Sequence, residues 1–161
     1  MSDTLKPVSI YTLFAQLFSS VAREVKEEFG EAGEEAVRRG VRKYGEMRGR
    51  HIASNAAADG KPNTIENYLP YYDMERSELF VYDTTMSDEM IDQKFYKCPF
   101  AEAWNKDGDQ ELGKLYCDEI DNSIARGFNP NLAHEEVTHL LDGAPSCHMT
   151  FKIKKGEKNE Q

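Results

Sequence analysis

The chain predicts an α+β fold, and three features of its sequence say so. Apolar residues recur at three- and four-residue steps from Ile10 to Val25, segments rich in Phe, Val, Tyr and Thr come in two pairs after residue 75, and one long helical stretch separates the pairs. Paired strands flanking a helix are the pattern of an antiparallel sheet with helices packed on it.

In IYTLFAQLFSSVAREVKEEF, the residues Ile10, Leu13, Phe14, Leu17, Phe18, Val21 and Val25 share one helix face, and Gly30 is the expected stop. A second helix runs through EAGEEAVRRGVRKYGEMRGRHIASNAAA, where Gly33, Gly40, Gly45 and Gly49 interrupt a thin apolar stripe. A glycine costs a helix interior about 1 kcal/mol against alanine, so this cluster points to close helix packing or approach to a ligand. Gly60, Pro62 and Asn63 mark a break, and NTIENYLPYYD adds a short helical piece that ends near Pro70. A strand is expected at about Ser77 to Thr84 and another from Met90 to Lys97, entering Cys98-Pro99. Pro99 suits the start of a helix through Trp104, Asp107-Gly108 is a turn, and QELGKLYCDEIDNSIARGF is the long helix, with Gly127 near its end. Ala133 to Leu141 and Ser146 to Ile153 read as a hairpin around Asp142-Gly143-Ala144-Pro145. The order is α-α-(α)-β-β-α-β-β, with the N-terminal helices packed on the sheet or forming a dimer face. A length of 161 residues suits one domain, with a helical part over 1–60, an α+β part over 75–153 and a frayed tail over 154–161.

The balance of residues narrows the function. A net charge of -9 argues against binding nucleic acid, which needs a basic face. No run approaches the ~18 to 20 apolar residues of a membrane span, and the N-terminus lacks the basic and apolar regions of a signal peptide. Three cysteines without an export signal fit a reducing cytoplasm, where they serve as thiolates or ligands more often than in disulfides.

The residues able to do chemistry crowd into the last 65 positions: Cys98, Cys117, Asp121, His134, His139, Cys147 and His148. Cys117 and Asp121 are four apart on one helix and share a face. His139 and Cys147 stand on opposite arms of the hairpin. Cys98, Cys117, His139 and Cys147 together make a candidate soft, tetrahedral zinc shell, although their spacing is not that of a zinc finger. The same cysteines could act as nucleophiles, with Asp121 moving the proton, or could be small buried hydrophobes. His148 should point away from Cys147, since neighbours in a strand face opposite ways. His51 and the glutamates of residues 24–35 read as solvated helix surface. Tyr68, Tyr71, Tyr72, Phe80 and Tyr82 read as core or as the wall of a pocket.

FYKCPFAEAW, LYCDEIDNSIARGFNP and LLDGAPSCHMTFK, with GEEAVRRGVRKYGEMRGR upstream, resemble the L-2-amino-thiazoline-4-carboxylate hydrolase family over roughly residues 28 to 153. The resemblance implies ring-opening hydrolysis of a cyclic thio-amidine on a route from a thiazoline to cysteine. More distantly, the last third resembles the vinyl-reductase-type small-molecule-binding domain. Sensors of that type hold zinc with cysteines and a carboxylate, two of the cysteines lying eight positions apart, as His139 and Cys147 do here. The expectation is therefore a cytoplasmic, homodimeric hydrolase of a small cyclic substrate, cleaving a C–N or C–S bond. Its site is built on Cys98, Cys117 and Cys147, with Asp121 as proton carrier and Arg126, Asn122 and His134 as substrate contacts. The alternative is a non-catalytic binding domain with structural zinc.

Overall fold

Ser9 starts the first helix by accepting the backbone N–H of Thr12 on its hydroxyl, at 3.1 Å. The computed structural model describes residues 6–154, so most of the expected tail lies outside the described residues. Helix α1 (Ile10–Ala58) is broken at Gly30, whose backbone (φ 59°, ψ -139°) is open to glycine and strained for other residues. The break reverses the chain. Arg23 meets Asp109 and Phe18 meets Tyr116, so residues 10–29 run antiparallel to α4 (Gln110–Phe128). Arg38 meets Asp118 and Arg126 meets Glu46, so residues 31–58 run parallel to it. The two expected helices are thus present as the arms of one hairpin, with α4 against both.

The glycines of the second arm sit where helix backbones touch. A Cβ on Gly45 would lie 2.6 Å from the Ser123 Cβ, and one on Gly49 would lie 2.1 Å from the Ile124 carbonyl oxygen. Gly40 faces open space. After the short helix α2 (Ile65–Tyr68), β1 (Val81–Met86) and β2 (Met90–Lys97) form the first strand pair. The first strand begins later than expected, because Phe80 closes a turn onto the Ser77 carbonyl at 3.1 Å and leaves the sheet. Helix α3 (Pro99–Asp107) starts on Pro99 and stops at Gly108, which takes the left-handed conformation. The sheet closes with β3 (Leu132–Thr138) and β4 (Cys147–Ile153), joined through a 3-10 turn at Leu140–Asp142. That turn occupies what had read as the end of the first hairpin arm.

The strand order is β1-β2-β4-β3, and every neighbouring pair is antiparallel. Helices cover one face, giving the expected α+β architecture. Ile52, Ile65, Tyr68, Trp104, Ile124, Phe128 and Phe151 form its sealed centre. The Trp104 indole N–H donates to the Ala15 carbonyl at 3.0 Å, tying the first arm of α1 to α3. On that arm Ala15 and Ala22 are buried and Phe14 and Phe18 pack on the core, while Ile10, Leu13, Leu17 and Val21 remain exposed. One side of the expected apolar face therefore covers the protein's own core, and the other is exposed.

Replacing Gly49 with alanine should destabilise the protein by about 1–3 kcal/mol, since backbone blocks the new methyl group. Gly40→Ala should instead stabilise it by about 0.5–1 kcal/mol. Urea denaturation of the two variants checks both signs.

Candidate functional site

Alternation along the strands decides which side chains face the helices. On β2 and β4, Phe95 stands opposite Cys147, Gln93 opposite Met149, and Ile91 opposite Phe151. On β3, Glu136 stands opposite Met149 and His134 opposite Phe151. Cys147, Met149 and Phe151 are buried, as the inner face requires. His148 points the other way, with Nε2 3.1 Å from Asp92 Oδ2, as the strand alternation predicts.

A cavity of about 100 Å³ separates this face from the helices. Tyr116, Cys117, Ile120 and Asp121 line it from α4, Arg48 from α1, Cys98 and Phe100 from the start of α3, and Tyr72 and Arg76 from the segment before β1. The floor is Phe95, Cys147, Met149 and Glu136, with His139 at one end. The cavity therefore gathers Cys98, Cys117, Asp121, His139 and Cys147, five residues that lie up to fifty positions apart.

Its polar end is closely wired. The register shifts between Glu136 and Thr138, and the chain then enters the 3-10 turn with His139 as its cap. His139 Nδ1 accepts the Leu141 N–H at 2.9 Å, and Nε2 lies 3.4 Å from Glu136 Oε1. Because Nδ1 accepts, the proton of the neutral ring sits on Nε2 and faces Glu136. Burial lowers the pKa of His139 and keeps the ring neutral. Burial, reinforced by the negative charge of Asp121, Asp118 and Asp142, pushes the Glu136 carboxyl up to about 8. Cys147 Sγ accepts the Leu140 N–H at 3.3 Å.

Glu136, His139 and Cys147 form a group that could hold a metal ion, with one donor atom from each within 4.8 Å of the others. This corrects the four-residue shell expected from sequence. Cys98 and Cys117 line the same cavity without joining the group, and the third member is a carboxylate. Glu136 was missed because it reads as one more acid in an acidic chain. Its signal is positional: with Leu132 and His134 it forms the alternate set of β3 that faces inward. The chemistry of the donors suits a soft metal, but the hydrogen bonds of His139 do not. One ring nitrogen accepts a backbone proton and the other carries its own, so neither is free to ligate as arranged.

The expected substrate contacts Arg126, Asn122 and His134 are not among the lining residues. Arg126 is exposed and gives both Nε and Nη2 to Glu46 Oε1, at 3.1 and 2.7 Å. Asn122 is exposed. His134 packs on Phe151 at 5.0 Å between ring centres, with a lowered pKa from burial and no partner for Nε2. The two cavity arginines that the sequence reading passed over are held differently. Arg48 gives Nε to Asp73 Oδ2 at 3.0 Å and Nη2 to Oδ1 at 2.7 Å. Burial works against its charge, and Asp73, with Tyr72 and Tyr116, more than offsets that effect. Arg76 lies over aromatic rings.

None of the three thiols is set up as a thiolate. Burial pushes Cys98 up to about 11 and Cys147 up to about 12, and pushes Cys117 up as well. A neutral thiol is a weak nucleophile, so the arrangement favours proton transfer by the carboxyl groups over covalent attack by sulfur.

The family model for L-2-amino-thiazoline-4-carboxylic acid hydrolase matches residues 11–151. No curated protein matches the chain. The fold is similar to that of subunit 3 of a trafficking protein particle complex from Naegleria fowleri, solved covalently bound to palmitic acid. The two are 13% identical with a TM-score of 0.52, over 90% of this chain and 95% of that one. No helix among the described residues is long and apolar enough to cross a membrane.

Alkylation by iodoacetamide goes through the thiolate, so its rate should climb about tenfold per pH unit from pH 7 to pH 10 in the folded protein. A rate that levels off below pH 8 at any of the three cysteines, located by mass spectrometry, contradicts this assignment of neutral thiols.

Proposed function

The chain belongs to the L-2-amino-thiazoline-4-carboxylic acid hydrolase family, and on that premise we propose that it opens the ring of a small cyclic thio-amidine by hydrolysis. The observation that carries this reading is the sheltered group of Glu136, His139 and Cys147, which shares a cavity with Asp121. Hydrolysis of a thiazoline needs a water activated toward the carbon between sulfur and nitrogen, and a proton for the ring atom that leaves. Asp121 takes the proton of the attacking water as a C–O bond forms. Glu136, which holds its proton to about pH 8, delivers one to the leaving sulfur or nitrogen as the ring C–S or C–N bond breaks. His139 Nε2 lies 3.4 Å from Glu136 Oε1 and flanks that side of the carboxyl group, leaving the other oxygen toward the substrate. The thiols contribute a low-polarity lining that keeps the acid protonated.

Purified protein given 2-amino-thiazoline-4-carboxylate should release a new thiol if the C–S bond breaks, or a new amine if the C–N bond does. Glu136→Gln and Asp121→Asn should each lower kcat by about 10²- to 10⁴-fold. Absence of turnover in the wild type, or full activity in both variants, contradicts the proposal.

A second reading is supported by the same group: a binding domain that holds zinc on Glu136, His139 and Cys147. We place it second because His139 would have to give up a hydrogen bond or a proton to ligate. Elemental analysis of protein purified without chelators should find well under one zinc per chain. Stoichiometric zinc that is lost in His139→Ala would reverse the order of the two readings.

A further inference from the structure

We propose that Arg76 is the anchor for a carboxylate on the molecule that enters the cavity, and so sets the specificity of the site for acidic ligands. The proposal deepens the reading of the cavity as a substrate site, but it does not depend on turnover.

The guanidinium carbon of Arg76 lies 5.3 Å from the Tyr72 ring centre, 5.0 Å from that of Tyr82 and 4.9 Å from that of Phe95. Cation–π contact satisfies the charge from ring faces. It leaves the N–H donors of the guanidinium, which lie in its plane, without acceptors. Among the described residues, no side-chain or backbone oxygen takes them. Arg48, the other cavity arginine, already has a carboxylate, bound through two nitrogens by Asp73. The remaining acids of the lining are Asp121 and Glu136, and neither offers an anion a positive charge. Arg76 is thus the cavity cation whose donor edge is open.

The ligand class follows from that edge. A fixed planar fork, held over aromatic rings, matches a planar acceptor with two oxygens, and a carboxylate is the simplest such group. The position is right as well. Phe95, beneath the guanidinium, is the direct cross-strand partner of Cys147, whose Sγ belongs to the group with Glu136 and His139. An anchored carboxylate therefore sits one strand pair from the proton-transferring end, a separation suited to a single small ring in a cavity of about 100 Å³. Arg126, the cation expected from sequence to play this part, is on the surface with Glu46.

The test compares 2-amino-thiazoline-4-carboxylate with its 4-carboxamide by titration calorimetry, and by KM and kcat where turnover occurs. Wild-type protein should favour the carboxylate by roughly 10- to 100-fold, as loss of a charge-assisted pair implies. Arg76→Gln should bind both compounds equally, with carboxamide binding unchanged as proof of a folded site, and the loss should fall on KM more than on kcat. Arg76→Lys keeps a cation and loses the planar fork. It should lie between the two, and it carries the test alone if Arg76→Gln does not fold. An unchanged carboxylate-to-carboxamide ratio in the variants, or no preference in the wild type, overturns the proposal. Carboxylate held through Arg76 without hydrolysis would end the hydrolase reading and leave the anchor standing, whereas hydrolysis indifferent to Arg76 would do the reverse.

Discussion

The rest of the molecule depends on the backbone contact between the second arm of α1 and α4. At Gly45, Gly49 and Gly127 the helices approach so closely that a single Cβ would fall 2.6, 2.1 and 2.3 Å from atoms of the facing helix. Contact at this range fixes α4 in rotation as well as distance, because only its glycine and small-residue side fits. Arg126 on Glu46 and Arg38 on Asp118 add pairs at the rim of the same seam. With that side committed, Cys117 and Asp121 are carried round to the cavity above the sheet. The glycines lower helix propensity at each position, and the packing they permit offsets that loss.

The cavity below α4 keeps a few polar groups out of water, and its chemistry follows from that. A carboxyl group held at about 8 in the fold and near 4.5 in the unfolded chain binds its proton more tightly when folded. Its contribution favours folding below the ordinary carboxylate range and is lost as pH rises through about 8. Glu136 thus costs stability in its ionised form, and such a cost in a sheltered cleft is characteristic of groups kept for proton transfer. The thiols obey the same rule from the other side: deprived of water and close to carboxylates, they stay protonated. The one strongly paired charge in the lining, Arg48 with Asp73, stabilises the wall and is unavailable to a ligand.

Much of this was legible in the sequence, and what was legible is what local rules control. Periodicity located both arms of α1, Gly30 marked the break between them, and Pro99 and Gly127 lay at the ends of their helices. The cluster of glycines pointed to close packing. Period-two alternation turned His148 away from Cys147. The cysteines, His139 and Asp121 were found by residue type, and the chain does bring them to one cavity. Glu136 and Arg76 were hidden because their importance is contextual. An acid in an acidic chain becomes notable only when strand register turns it inward, and an arginine before a strand becomes notable only when three aromatic rings close on it. Arg126 showed the opposite error: it follows Asp121 closely in sequence, but its helix face belongs to the α1 seam. The candidate metal group was half legible for a related reason, since spacing brought His139 and Cys147 together but could not reveal that Glu136 joins them.

The central claim is that the fold shelters an acid which keeps its proton at neutral pH, beside neutral thiols. Carbon-detected NMR of protein labelled at the glutamate side-chain carboxyl, assigned with Glu136→Gln, measures that proton directly. The Glu136 signal should titrate near 8. A midpoint in the ordinary carboxylate range near 4.5 would contradict it and remove the general acid from the site.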